Sequence, residues 1–202
     1  MRLILASASP RRAELLRAAG FDFDVVVADV DESIRARESP RSYVRRLAAD
    51  KSLAALKTCA TPADVIVLGA DTAVVVDGDI LGKPRDNDDA ASMLKRLSGR
   101  RHEVLTGVSV RRNAHEVGRV ETTAVFFSPL SDEDVAWYVA SGEGRDKAGA
   151  YAIQGLASRF IPRLEGSYSN VVGLPVACVH DLLREISDIR PIRSSPSSSA
   201  AD

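Results

Sequence analysis

A chain of 202 residues suits one domain with a sizeable core. Apolar residues make up 45% and charged residues 27%, the balance of a soluble globular protein rather than of a membrane or unstructured one. The formal net charge of −1 excludes a global field that would draw the chain to nucleic acid or to an acidic membrane, while leaving room for a local basic site.

Residues 2–6 (RLILA) predict a short buried strand. Its extension LILASA is too short for the apolar region of a secretory signal, and no run approaches the length of a membrane span. Ser9 and Pro10 mark a helix start, with Ser as the cap and Pro in the first turn. Ala13, Leu15, Leu16 and Ala19 then recur at helical spacing until Gly20. Arg11 and Arg12 follow the cap at once, where the partial positive charge of a helix start disfavours cations. Two solvated surface arginines explain the pair, and so does a clamp on an anion.

FDFDVVVADVDES reads as a strand followed by a charged loop that carries Asp31 and Glu32. A second helix begins at Ser39-Pro40, with Tyr43, Val44, Leu47 and Ala48 as its apolar face. VIVLGADTAVVVDGDILG is the strongest strand signal. Residues 65–68 lead through Gly69 and Ala70 to Asp71, expected to emerge at the sheet edge, and Asp77-Gly78 predicts a tight hairpin. Residues 88–97 form a helix, and residues 103–111 and 117–127 two strands joined at Asn113. Ser131 and Asp134 make a capping box for a helix closed by Gly142. EGRDKAGAYAIQG is a polar, glycine-rich stretch, and the last helix runs from about Val176 to Ile186. Residues 187–202 are serine-rich and too polar to bury anything, so a disordered tail is expected. Interleaved strands and helices with at least one hairpin predict an α/β fold with a mixed sheet.

Two cysteines, Cys59 and Cys178, make neither a disulfide framework nor a zinc motif, which fits a reducing, cytoplasmic setting. Polar residues instead gather where strands and helices end, at SPRR (9–12), Asp31-Glu32, GADT (69–72), GKP (82–84) and KAGAYAIQG (147–155). Ligands of open α/β sheets bind at such places. Two carboxylates meeting there suit Mg²⁺, which binds through one or two carboxylates plus substrate phosphates, and one can activate a water. GDILGKP is not a P-loop, because its glycine spacing is one short and Pro84 replaces the Ser or Thr ligand. Lys83 is left as a point charge. Gln154 is either a core-facing amide or a reader of a base edge. The three histidines lack metal-ligand spacing, and neither a nucleophile elbow nor a dinucleotide fingerprint is present. The combination asks for a cation-assisted phosphoanhydride site.

LASASPRR, VDES, GADT, LGKP, SGRRHEVLTGV, DKAGAYAIQG and GSYSNVVGLP stand in the order seen in the Maf family of nucleotide pyrophosphatases, which the chain resembles from residue 3 to about 186. The resemblance implies a Maf/ITPase-like fold over residues 1–186, an elongated twisted mixed β-sheet with flanking helices and two lobes around a deep cleft. It also implies a homodimer. The DKAGAYAIQG form resembles the branch that hydrolyses dTTP and UTP to the monophosphate and pyrophosphate. A 7-methyl-GTP pyrophosphatase is the alternative, as is a nucleotide-binding regulator of septum formation with little turnover. Asp71 corresponds to the family's proton acceptor, with Glu32 and Lys83 beside it as catalytic groups. Ser9, Arg11, Arg12, Lys51, Thr72 and Gln154 are the substrate-binding set, among which Arg11, Thr72 and Gln154 are tied to selection. Glu32 and Asp71 are the expected holders of Mg²⁺ or Mn²⁺. Departures from the family pattern are confined to Ala73, the KSLAA run after Lys51, and Gly144, and none removes a charged site residue.

Overall fold

Strand β1 (Arg2–Ala6) runs directly into helix α1 (Pro10–Ala18), and a short strand β2 (Phe23–Val25) returns beside β1. The computed structural model describes residues 2–61 and 64–188 of the chain. Helix α2 (Pro40–Thr58) precedes the long strand β3 (Val65–Val76) and its hairpin partner β4 (Asp79–Leu81). Helix α3 (Asn87–Leu97) leads to a second long hairpin, β5 (Arg101–Arg112) and β6 (His115–Phe126). After α4 (Asp132–Ser141) come two 3₁₀ turns at Ala148–Ala150 and Leu156–Phe160, then strand β7 (Arg163–Glu165) and helices α5 (Tyr168–Val172) and α6 (Val176–Asp188).

Among the described residues the seven strands form one mixed sheet in the order β2-β1-β3-β5-β6-β7, with β4 also paired to β3. β1 is parallel to β2 and β3, and every other pairing is antiparallel. No described helix is long and apolar enough to cross a membrane. Most elements lie where the sequence places them, including the Ser131–Asp134 capping box and the left-handed Gly142 that closes α4. Three do not. β2 is only three residues long, because it pairs with Leu3–Leu5 of a five-residue neighbour and lies at the outer edge. β3 continues without interruption through Gly69, Ala70 and Asp71, so Asp71 sits within a strand and not at its end. β7 and α5 had no periodic signal. Helix α6 also takes in Ser187 and Asp188, and the rest of the serine-rich tail, residues 189–202, lies outside the described residues.

Side chains alternate across a strand, and β3 uses the alternation to serve two cores. On one face Ile66, Leu68 and Ala70 pack with Leu16, Val179, Leu182 and Ile186, beneath α1 and α6. Further along the same face Val74 and Val76 join Leu94, Leu97, Val135 and Tyr138, beneath α3 and α4. On the opposite face Val65 and Val67 meet Ala55 and Leu56, and Ala73 and Val75 meet Val44. The nineteen-residue α2 therefore spans both halves of the sheet, while the other face carries two separate cores. Two glycines bring α2 this close. A Cβ at Gly69 would lie 2.2 Å from the Ala48 carbonyl oxygen, and one at Gly107 would lie 2.1 Å from that of Val44.

The edge of β3 opposite β5 is only partly occupied. β1 covers Val65–Gly69 and β4 covers Val74–Val76, so among the described residues Ala70–Ala73 has no strand on that side. The sheet is open there, between the two cores.

His102 is fully buried in β5, edge-on to Phe127 and Tyr151, with Nε2 2.8 Å from the Tyr151 hydroxyl. It is a structural group. Burial, aided by the charge of Arg101, pulls its pKa from 6.5 down to about 4. The folded state resists protonation, so the imidazole's contribution to stability is intact above pH 6.5 and is lost as pH falls from 6.5 to about 4. The loss amounts to about 3 kcal/mol at one pKa unit per 1.36 kcal/mol. In denaturant titrations at pH 5, His102→Gln is expected to take up roughly one proton fewer on unfolding than the wild type. An unchanged pH slope would contradict the assignment.

Candidate active site

The opening along β3 is the floor of a cleft of about 530 Å³, and all nine residues singled out from the sequence line it. They divide between the two faces of the sheet, since Asp71 and Thr72 are successive residues of one strand. On the α2 side, Asp71 is 8% exposed. Gly69, two residues earlier on the same face, lies against Ala48 and Ser52, and this approach brings Lys51 onto the Asp71 carboxylate. Lys51 Nζ lies 2.7 Å from Asp71 Oδ1 and 2.6 Å from Glu32 Oε1, joining the two carboxylates. The loop that carries Glu32 is held by α2 as well, because Tyr43 Oη donates to the Glu32 carbonyl (3.1 Å) and Arg46 donates to that of Ser33 (3.0 Å).

The two carboxylates share one lysine yet shift in opposite directions. Burial raises Asp71 above the usual carboxylate range, against the opposing charges of Lys51 and Arg12. Burial acts on Glu32 too, but the hydrogen bond and charge of Lys51, with Lys83 and Arg12, bring it below its ordinary value. The difference follows exposure, for the Glu32 side chain is 55% exposed and that of Asp71 only 11%. A raised carboxylate is a stronger base, and nearby cations keep it ionised.

On the other face Arg12 is almost completely buried and held by three neutral acceptors. Nε donates to the Gly173 carbonyl at 2.8 Å, Nη1 to Ser7 Oγ at 3.1 Å and Nη2 to Thr72 Oγ1 at 3.1 Å. Thr72 is steadied in turn by Thr106 Oγ1 at 3.0 Å. Among the described residues no carboxylate lies within ion-pair distance of Arg12. Burial lowers its pKa, with the more distant charge of Asp71 opposing. A buried, charged guanidinium without a counter-ion is costly, and an anion entering the cleft relieves the cost. Arg11 differs: it is partly exposed and faces Asp146 at 3.6 Å across the cleft mouth.

The remaining residues of the set, Lys83, Gln154 and Ser9, also line the cleft. Lys83 is exposed, and among the described residues its ammonium makes no hydrogen bond. Gln154 is likewise exposed, and its amide has no hydrogen-bond partner among them, so it is not a core-facing amide. Ser9 occupies the cap position of α1 and lines the cleft, but its side chain makes no capping bond, contrary to the sequence reading. Its backbone N–H donates instead to Ser7 Oγ at 3.2 Å. The helix start is thus turned toward the cleft with its orphan N–H groups uncapped by Ser9.

Sequence reasoning passed over Ser7, Asp146, Lys147 and Gly173, all of which line the cleft. All four lie inside quoted motifs, and the side chains of Ser7, Asp146 and Lys147 were within reach there. Gly173 acts through its carbonyl alone, which no residue pattern announces. Among the described residues no group of three or more His, Cys, Asp or Glu is placed to hold a metal. Glu32 and Asp71 nevertheless offer two hard oxygen donors on either side of Lys51 Nζ, so a cation held by them shares its carboxylates with that ammonium. That set fits Mg²⁺ or Mn²⁺, which take one or two carboxylates and complete their shell with water and phosphate oxygens.

Residues 2–186 match the family model described as Maf-like protein. A dTTP/UTP pyrophosphatase of Anaeromyxobacter dehalogenans (strain 2CP-C) is 54% identical, over 91% of this chain and 93% of its own. Those of Hahella chejuensis and Vibrio cholerae are 52% and 51% identical over 91% of this chain, covering 92% and 97% of their own lengths. Among solved structures, a nucleoside-triphosphatase / dITP/XTP pyrophosphatase from Mycobacterium abscessus aligns with 94% of this chain and 100% of its own at 16% identity. The TM-score is 0.45, too loose a likeness to bear on the site. Matched over nearly its whole described length, the chain belongs to the Maf family.

Proposed function

We propose that this protein hydrolyses dTTP and UTP between the α and β phosphates, releasing the monophosphate and pyrophosphate. The observation that carries the reading is the pairing, in one cleft, of a buried guanidinium without a counter-ion and a buried carboxylate tethered to a lysine. The first calls for a polyphosphate and the second for a proton to accept. The relatives at about half identity are named dTTP/UTP pyrophosphatases, which supports this branch over the 7-methyl-GTP one.

Asp71 takes the proton from the attacking water. Among the described residues it hydrogen-bonds only through Oδ1, to Lys51, leaving Oδ2 for the water. Arg12, fixed by Gly173, Ser7 and Thr72, binds the phosphate chain as a preset donor fork. Arg11 and Lys83 neutralise charge on the leaving pyrophosphate. Glu32 and Asp71 would hold Mg²⁺ or Mn²⁺, which supplies Lewis-acid polarisation of the α-phosphate when bound. Gln154 pairs with the 4-oxo and N3–H edge of uracil or thymine, its amide supplying a donor and an acceptor together. The 5-methyl group is worth only about 1–3 kcal/mol in a pocket, so both dTTP and UTP are substrates. We place this activity in a single unit, residues 1–186, acting as a cytoplasmic homodimer. Two free cysteines support the compartment and the family resemblance supports the dimer.

Asp71→Asn keeps the shape and removes the base. Pyrophosphate release from UTP with Mg²⁺ present is expected to fall by about 10²–10⁴-fold in kcat, and near-wild-type turnover would overturn the assignment. Arg12→Lys cannot satisfy three acceptors with the geometry of the fork. A KM for UTP raised about tenfold or more is expected, ~1.4 kcal/mol of lost binding. Gln154→Ala is expected to lower kcat/KM for UTP relative to CTP and GTP by about tenfold, within the ~1–3 kcal/mol range of one pocket contact. Unchanged selectivity would remove its reading role.

A further inference from the structure

We propose that Tyr138 and Glu143 form a positioning pair that fixes the Gln154 turn and thereby sets base selectivity without touching substrate. The inference rests on Gln154 as the base reader. Gln154 lies at the middle of a three-residue segment, Ile153–Gln154–Gly155, and both ends of that segment are tied to the same two side chains. The Ala152 N–H donates to Tyr138 Oη at 3.1 Å, and the Leu156 N–H donates to Glu143 Oε1 at 3.0 Å. Tyr138 Oη donates in turn to Glu143 Oε2 at 2.7 Å, which makes the two anchors one unit. The Gly155 N–H closes the turn onto the Ala152 carbonyl at 3.1 Å.

Each part of the unit is itself fixed. Tyr138 is 1% exposed and packs against Phe160 and Trp137. Burial, with the Glu143 hydrogen bond, raises its phenol above the ordinary range, so it stays protonated and keeps donating. Glu143 follows the left-handed Gly142, and its N–H donates to Ser141 Oγ at 3.2 Å, which turns the carboxylate back past the end of α4. The acceptor it offers is needed: Leu156 opens a 3₁₀ turn, and its N–H has no acceptor within that turn. A Cβ at Gly155 would lie 2.0 Å from Glu143 Oε1, so any side chain there pushes the carboxylate off its place. Neither Tyr138 nor Glu143 lines the cleft. Because the Gln154 amide has no protein partner among the described residues, its position depends on this backbone alone. A displacement of about 1 Å in a positioning group can cost on the order of 10²-fold in rate.

The test compares pyrophosphate release from UTP, CTP and GTP, with Mg²⁺ present, by full-length Tyr138→Phe, Glu143→Ala, Glu143→Gln and Gln154→Ala. Both Tyr138→Phe and Glu143→Ala are expected to lower kcat/KM for UTP relative to CTP and GTP by about tenfold. Glu143→Gln keeps more of the ratio than Glu143→Ala, because its amide oxygen still accepts from Leu156 although the Tyr138 hydroxyl loses its acceptor. Should Tyr138→Phe fail to fold, Gly155→Ala displaces the Glu143 carboxylate with the tyrosine intact and is expected to give the same loss. An equal decline on all three nucleotides, as a merely structural role predicts, would overturn the proposal. So would a ratio lost in Gln154→Ala but kept in Tyr138→Phe and Glu143→Ala, which leaves the base reader standing. A ratio kept in Gln154→Ala overturns the base reading and the positioning role with it.

Discussion

The gap in strand pairing along one edge of β3 is the constraint on which the rest of the molecule depends. β1 covers β3 only as far as Gly69 and β4 only from Val74, so among the described residues Ala70–Ala73 has no strand on the edge away from β5. An open edge usually invites another strand or aggregation. Here the two helix-covered cores on either side of the gap turn it into the floor of a cleft. Because successive side chains leave a strand on opposite faces, Asp71 and Thr72 reach the same cavity from two sides of the sheet. One strand thus delivers a buried carboxylate and a hydroxyl partner for Arg12 without any loop to position them.

Helix α2 organises the charge on one side of that floor. Gly69 and Gly107 leave out side chains that would strike its backbone. The close approach brings Lys51 to Asp71, while Tyr43 and Arg46 secure the loop of Glu32. Across the floor Arg12 is held by a carbonyl and two hydroxyls that orient its fork without neutralising it. A tethered carboxylate remains available as a base, and an oriented but unneutralised cation remains available to an anion.

Much of this was legible in the residues. Apolar periodicity located the long elements, and Gly, Pro and capping residues located their ends, because those signals are local. The five polar clusters also held eight of the nine singled-out cleft residues, since charged groups beside buried strands need a reason to be there, while Lys51 came only with the family resemblance. The opening pair, Arg11-Arg12, shows the limit. Both stand on the first turn of one helix, yet one is buried among neutral acceptors and the other faces Asp146 at the cleft mouth. The divergence comes from partners 60 and 161 residues away in Arg12's case, Thr72 and Gly173.

Sequence by itself determined the inventory: an α/β chain of mixed strands, cations at a helix start, carboxylates beside an apolar run, and a motif order that identifies the family. Only the tertiary structure decided that Asp71 lies within a strand, that it shares Lys51 with Glu32, that Ser9 does not cap its helix, and that Gln154 stands free of the core. The physical reason is range. Capping, turns and amphipathic repeats are settled within a few residues, whereas burial, pairing gaps and shared hydrogen bonds exist only once distant segments meet.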